Sequence, residues 1–156
     1  MTGSPFVIAY ERAFPLPLPP DGIWSVLQQL DCFESWWGWL TEFRVEGPGL
    51  RSGSVLQGTV VPPLPYRIRV RLELLECIPP RRIDAAVHGD LEGRARILLE
   101  EDGDGSLVSV TSDIEVMQRP LRAAARVAPG LLRWGHDRVV EATVRSFRTR
   151  LGEVRD

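Results

Sequence analysis

The chain contains no lysine and no asparagine, so all 19 of its basic side chains are arginines. The first absence excludes a Schiff-base amine and the lysine of a phosphate-binding loop. The second excludes an N-glycosylation acceptor. Cysteine is scarce: Cys32 and Cys77 lie far apart, without the paired spacing of a zinc or redox site, and read as buried thiols of a reducing cytoplasm. No run approaches the roughly 18 apolar residues that a membrane span needs, and Met1 to Phe6 shows no basic segment leading into an apolar one. A cytoplasmic chain without stable membrane insertion is therefore expected. The 21 acidic residues nearly balance the basic ones, and both signs are spread along the sequence, which argues against nucleic acid as a partner. No Gly-x-Ser-x-Gly elbow, His-Glu-x-x-His pair, glycine-rich phosphate loop or metal-ligand cluster occurs, so neither a metal nor another cofactor is expected. Glu101-Asp102-Gly103-Asp104-Gly105 resembles a calcium loop only superficially, because the position that needs glycine is Leu107.

The 156 residues suit one domain, 1–156, with one sizeable core. Phe6 to Tyr10 reads as a first strand, and the proline-rich stretch Phe14 to Pro20 is expected to leave the sheet, since proline cannot donate to a ladder. Asp21, ahead of Ile23, Trp24, Leu27 and Leu30, predicts an N-capped helix. Asp31 with Glu34 predicts a capping box opening a second short helix that carries Phe33, Trp36 and Trp37. From Leu40 to Val61 two strands flank a Gly47-Pro48-Gly49 turn. Tyr66, Ile68, Val70, Leu72 and Leu74 then alternate with Arg67, Arg69, Arg71 and Glu73, giving a long strand with one wet face. The arginine row reads as solvated sheet surface. A hairpin turns at Gly89-Asp90 between the alternating stretches around Ile83 to Val87 and Ala95 to Leu99. The last strand sets Val108, Val110, Ser112, Ile114 and Val116 on one face. Ser112, its only polar member, either meets a ligand or bonds a neighbouring backbone group, and the second is the simpler reading.

From Pro120 the period becomes helical. Leu121 to Ala128 is interrupted by Pro129-Gly130, and Leu131 to Leu151 forms the longest helix. Val140, Thr143, Val144, Phe147 and Leu151 share one face, with His136 near its centre, Arg133 at its edge and Trp134 on the opposite side. Successive hairpins imply an antiparallel meander whose apolar face exceeds what one helix can cover, so an α+β fold with a curled sheet and an apolar hollow is expected.

These segments carry a resemblance. Pro20-Asp21-Gly22-Ile23-Trp24-Ser25-Val26-Leu27, Trp36-Trp37, Leu64-Pro65-Tyr66-Arg67, Pro79-Pro80, Gly89-Asp90-Leu91-Glu92-Gly93 and Arg133-Trp134-Gly135-His136-Asp137 stand in the order and spacing of the START-like helix-grip (SRPBCC) superfamily. The sequence particularly resembles its bacterial polyketide cyclase/dehydrase-like members. The resemblance implies a curved sheet of about seven strands, two short helices after the first strand and a long C-terminal helix over an apolar cavity. Relatives commonly carry Asn where this chain has Gly135, a departure that removes a polar group there.

On this reading the ligand is a small hydrophobic molecule such as a lipid or a polyketide, and the protein is a monomer or homodimer. Ile68, Val70, Leu72, Val110, Ser112, Ile114 and Val140 would line the cavity. Trp36 and Trp37, with Trp39, either form an aromatic wall or staple the second helix to the sheet. The Tyr66 hydroxyl either bonds a ligand carbonyl or a group at the rim. A helix over a hollow aims His136 and the Arg133 head inward, as a hydrogen-bonded core pair or as chemistry. In the alternative enzyme reading, a cyclase/dehydratase of a poly-β-ketone, Arg133 would stabilise an enolate while His136 or Tyr66 moved protons. His88 shares the wet face of its strand with Asp84. His136 and Asp137 point about 100° apart on a helical wheel and are not expected to form a dyad.

Overall fold

A computed structural model describes residues 6–128 and 130–155. The readings that rest on Met1 to Pro5 and on Pro129 lie outside the described residues. In chain order the elements are β1 (Val7–Leu16), α1 (Pro20–Leu27), a 3-10 turn (Leu30–Cys32), α2 (Phe33–Trp36), β2 (Leu40–Glu46), β3 (Val55–Val60), β4 (Ile68–Ile78), β5 (Arg82–Gly89), β6 (Leu91–Asp102), β7 (Gly105–Val116), α3 (Arg119–Val127) and α4 (Leu131–Arg155). All seven strands form one curved antiparallel sheet in the order β1-β7-β6-β5-β4-β3-β2. Strands β2 to β7 are thus a meander of sequential neighbours. The α1–α2 connection carries the chain from one edge of the sheet to the other. Among the described residues no helix is long and apolar enough to cross a membrane.

Three local expectations are corrected. The sheet does not release the chain at Phe14: β1 pairs with β7 as far as Pro15 opposite Leu107 and Leu16 opposite Ser106. Proline is tolerated because β1 is an edge strand. The Pro15 carbonyl accepts from Arg148 Nε of α4 at 3.2 Å, so that residue's polar backbone side faces away from β7. Asp21 does not cap α1. Pro19 holds the cap position and Pro20 the first helical one, where its fixed φ is already helical and its missing N–H is no loss; Asp21 sits in the first turn, where a carboxylate suits the helix dipole. Nor do Asp31 and Glu34 form a capping box, since no side-chain cap bond is made at either short helix. Glu34 Oε1 instead accepts the Phe43 backbone N–H at 2.6 Å. That N–H is free because β2 bulges between Thr41 and Arg44, with Glu42 at φ 54°.

The strand expected from Tyr66 begins at Ile68 and runs on to Ile78. Its alternation holds: Arg69, Arg71 and Glu73 are exposed on the outer face, while Ile68, Val70, Leu72 and Leu74 face the helix side.

The apolar interior forms three clusters, whereas a domain of this length ordinarily has one contiguous core. The first joins Trp24, Phe33 and Trp37 to Leu56, Leu74 and Ile83 beneath α1 and α2. The second packs Ile8, Ile114 and Val116 against Leu121 and Ala125 of α3 and Leu132 at the start of α4. The third sets Ile23, Val26 and Leu99 against Phe147 and Leu151 toward the other end of α4. Helix α4 is therefore anchored at both ends. Its middle, His136, Val140, Thr143 and Val144, is only half-buried, and so are Ile68, Val70, Leu72, Ala95, Val110 and Ser112 on the inner face of the sheet. Ile68, Val70, Leu72 and Ala95 pack on the second cluster yet keep part of their surface exposed, so the centre of the inner face is less completely covered than the clusters at the two ends of α4. The most extensive backbone contacts of α4 are with β1, α3 and α2.

Candidate functional site

The inner face of the sheet and the side of α4 that faces it are apolar, with one polar corner at Tyr10, Ser112 and His136. Of the residues expected to line a cavity there, Ile68, Val70 and Leu72 of β4, Val110 and Ser112 of β7 and Val140 of α4 all show the half-burial of a lining, whereas Ile114 is buried in the second cluster. The Ser112 hydroxyl makes no hydrogen bond among the described residues, against the expectation that a neighbouring backbone group would take it; opposite Tyr10 and Ala95 in the ladder, it stays available on the inner face.

Tyr10 is the site residue that sequence reasoning missed. It follows Phe6 and Ile8, both buried in the second cluster, at the two-residue spacing of a strand face, and that parity was the available signal. Its ring meets His136 edge to face, with centroids 4.9 Å apart at 63°. Burial raises the Tyr10 pKa, Asp137 and Glu141 push it the same way, and Arg12 opposes them, so the phenol stays protonated at neutral pH and can donate.

His136 is half-buried on α4, and desolvation lowers its pKa in spite of the neighbouring Asp137 carboxylate, which acts in the opposite direction. The ring is neutral near pH 7. Its Nδ1 lies 3.3 Å from Asp137 Oδ1, so the two adjacent side chains, which are not expected to form a dyad, do make contact. Nδ1–H then donates to Asp137 and leaves Nε2 as an acceptor. A histidine whose folded-state pKa is depressed binds fewer protons when folded than when unfolded, so stability should fall as pH drops below the unfolded value near 6.5. Urea titrations between pH 8 and pH 5 should show a steeper loss in the parent chain than in His136→Phe, which keeps the aromatic contact and removes the titration; parallel curves would contradict this placement.

Arg133 does not point into the hollow. It is exposed, and its Nη1 donates to the Ala9 carbonyl on the free edge of β1 at 3.3 Å, which satisfies an edge acceptor and draws the head outward. Trp134 projects from the opposite side with 45% exposure, beneath the Arg138 guanidinium. Tyr66 lies in the loop before β4, half-buried against the second cluster and without a hydrogen bond among the described residues. That same loop explains Gly135: a Cβ there would stand 2.8 Å from Leu64 Cδ1, so Leu64 takes the room that a larger residue at this helix position would need.

The tryptophans divide by role. Trp37 is a staple: 8% exposed, it packs on Phe33 and Trp39, and its Nε1 donates to the Thr143 carbonyl of α4 at 3.2 Å. Trp36 stacks on Phe147 and remains half-buried.

Several solved structures share this arrangement. TTHA0849 from Thermus thermophilus superposes with a TM-score of 0.74 at 16% identity, covering 96% of this chain and 99% of that one. The Zhui aromatase/cyclase from Streptomyces sp. R1128 gives 0.72 at 13% identity, with 94% of each chain covered. Norcoclaurine synthase from Thalictrum flavum gives 0.63 at 14%, covering 96% of this chain and 97% of that one. At such identities the likeness establishes the helix-grip fold and nothing finer. No curated protein matches the sequence. The family model described as polyketide cyclase / dehydrase and lipid transport matches residues 8–152, and the chain belongs to that family.

Proposed function

We propose that this protein binds a small hydrophobic molecule between the inner face of the sheet and the middle of α4. The observation that carries the reading is the paired half-burial of apolar residues at the centre of both surfaces, with the buried clusters that anchor α4 lying toward its two ends. A ligand there withdraws its own apolar surface and that of Ile68, Val70, Leu72, Val110 and Val140 from water. At about 25 cal/mol per Å² this is the main source of affinity, offset by the cost of immobilising the ligand. Tyr10 and Ser112 donate to a ligand oxygen, His136 Nε2 accepts from a ligand hydroxyl, and Tyr66 stands at the loop side. Native mass spectrometry of protein purified without detergent or organic solvent should show a bound nonpolar molecule, or stoichiometric uptake from a mixture of fatty acids and aromatic polyketides. A chain that takes up neither contradicts the proposal.

The polar corner favours a second reading, the cyclisation and dehydration of a poly-β-ketone. A neutral His136, held by Asp137 on one nitrogen and open on the other, has the state required of a general base for an acidic methylene, and the Tyr10 phenol can donate to the developing enolate oxygen. Arg133 would first have to leave Ala9. Turnover of a poly-β-ketone mimic that disappears in His136→Ala and Tyr10→Phe while ligand uptake persists would support catalysis; turnover that survives both would exclude these groups.

A further inference from the structure

On the outer face of the sheet, a groove of about 570 Å³ crosses β2 to β5, with Gly58, Val70 and Gly89 of the sheet among its lining. Strand register assembles its walls. Arg44 lies opposite Gln57, Gln57 opposite Arg71, and Arg71 opposite His88, so one row spans four strands. A second row sets Thr59 opposite Arg69. Thr59 is only 3% exposed although it faces outward, which makes it the floor beneath the longer side chains around it. The bulge at Glu42 bends β2 beside this row.

The charges in the groove do not balance. Its carboxylates are already engaged: Glu42 pairs with Arg67 at 2.8 Å, and Glu92 holds His88 Nδ1 at 3.1 Å and the Gly89 N–H at 3.3 Å. The Gln57 amide donates to Glu46 at 2.9 Å. Arg44, Arg69 and Arg71 all line the groove, and among the described residues none has a carboxylate within ion-pair distance. Three uncompensated guanidiniums on one face of a chain whose net charge is -2 mark an anion site. Spacing narrows the anion. Arg69 and Arg71 stand about 7 Å apart along one strand, and Arg44 and Arg71 about 10 Å apart across two. Two linked phosphates can reach all three with the side chains spread at that spacing, each phosphate gripped by a guanidinium fork, whereas a single phosphate requires all three side chains to converge on one point.

We propose that this outer groove binds a diphosphate-bearing small molecule, with Arg44, Arg69 and Arg71 as its anion ligands and Gln57 and Thr59 as hydrogen-bonding neighbours. The site is independent of the hollow and stands or falls separately from it. Titration of the intact chain with inorganic pyrophosphate, followed by amide nitrogen–proton spectra, should give saturable shifts at Thr59, Arg69 and Gly89. Orthophosphate should bind distinctly more weakly. Arg71→Gln and Arg44→Gln should each lower pyrophosphate affinity by about fivefold or more, with melting temperatures unchanged, since both side chains are exposed. Three results would overturn the proposal: no saturation at millimolar pyrophosphate, equal affinity for orthophosphate, or shifts that persist undiminished in both variants.

Discussion

Trp37→Ala is expected to lower the unfolding free energy by about 3–5 kcal/mol, the range for removing a large buried aromatic. Trp37, at the end of α2, touches both β2-side and α4 groups. Its ring lies 4.7 Å from Phe33 and 5.7 Å from Trp39, meets Trp36 and Phe147 edge-on, and its indole N–H reaches the α4 backbone at Thr143. Alanine leaves a cavity where α2, β2 and α4 converge and orphans no other group, because the Thr143 carbonyl remains in its helix. Trp37→Phe should recover most of the loss and retain a deficit of about 0.5–1.5 kcal/mol for the missing hydrogen bond. Denaturant unfolding of the two variants separates packing from hydrogen bonding. If the tryptophan served only as ligand wall, alanine would reduce binding and leave stability nearly unchanged.

Gly93→Val should act through the shape of the sheet, with a loss on the order of 4 kcal/mol or more, large enough to leave little folded protein. Gly93 lies in β6 opposite Ile114 with φ +156°, and a Cβ there would stand 2.0 Å from the Asp113 carbonyl oxygen. The obstacle is backbone and cannot rotate away. A side chain would have to push β6 from β7 where the sheet is paired most extensively. Circular dichroism and soluble yield of Gly93→Val and Gly93→Ala measure the effect. Near-parent stability in the alanine variant would show that β6 and β7 can separate there at little cost.

The element order and the inward faces were legible because they depend on near-neighbour patterns. The alternation from Ile68 to Leu74, the Gly89-Asp90 turn and the helical period after Pro120 each specify an element without reference to the rest of the chain. Features that depend on which strand lies beside which were not legible. Pro15 remained in the sheet only because β1 became an edge. Glu34, read as a cap, found the N–H freed by a bulge nine residues later. Arg133 was read from its position on the helical wheel, but the acceptor that draws it outward belongs to β1, more than a hundred residues earlier in the chain. The outer groove shows the limit most plainly. Arg44, Gln57, Arg71 and His88 look like unrelated surface positions along the chain, and the register of four strands turns them into one row. Tyr10 has the parity of Phe6 and Ile8, but a stretch as short as Phe6 to Tyr10 does not by itself reveal two faces.

The central claim is that sheet and helix face each other across space their side chains do not fill, and Val70→Trp tests it most directly. Val70 faces inward, half-buried, with Gly58 and Gly89 as its neighbours on the adjacent strands. With the hollow present, the indole occupies free volume: the unfolding free energy should change by less than about 1 kcal/mol, while affinity for an uncharged naphthylamine dye should fall by about tenfold or more. A loss of about 3 kcal/mol or more on unfolding, as overpacking of a filled core produces, with dye binding absent from the parent chain, would show that the interior is solid.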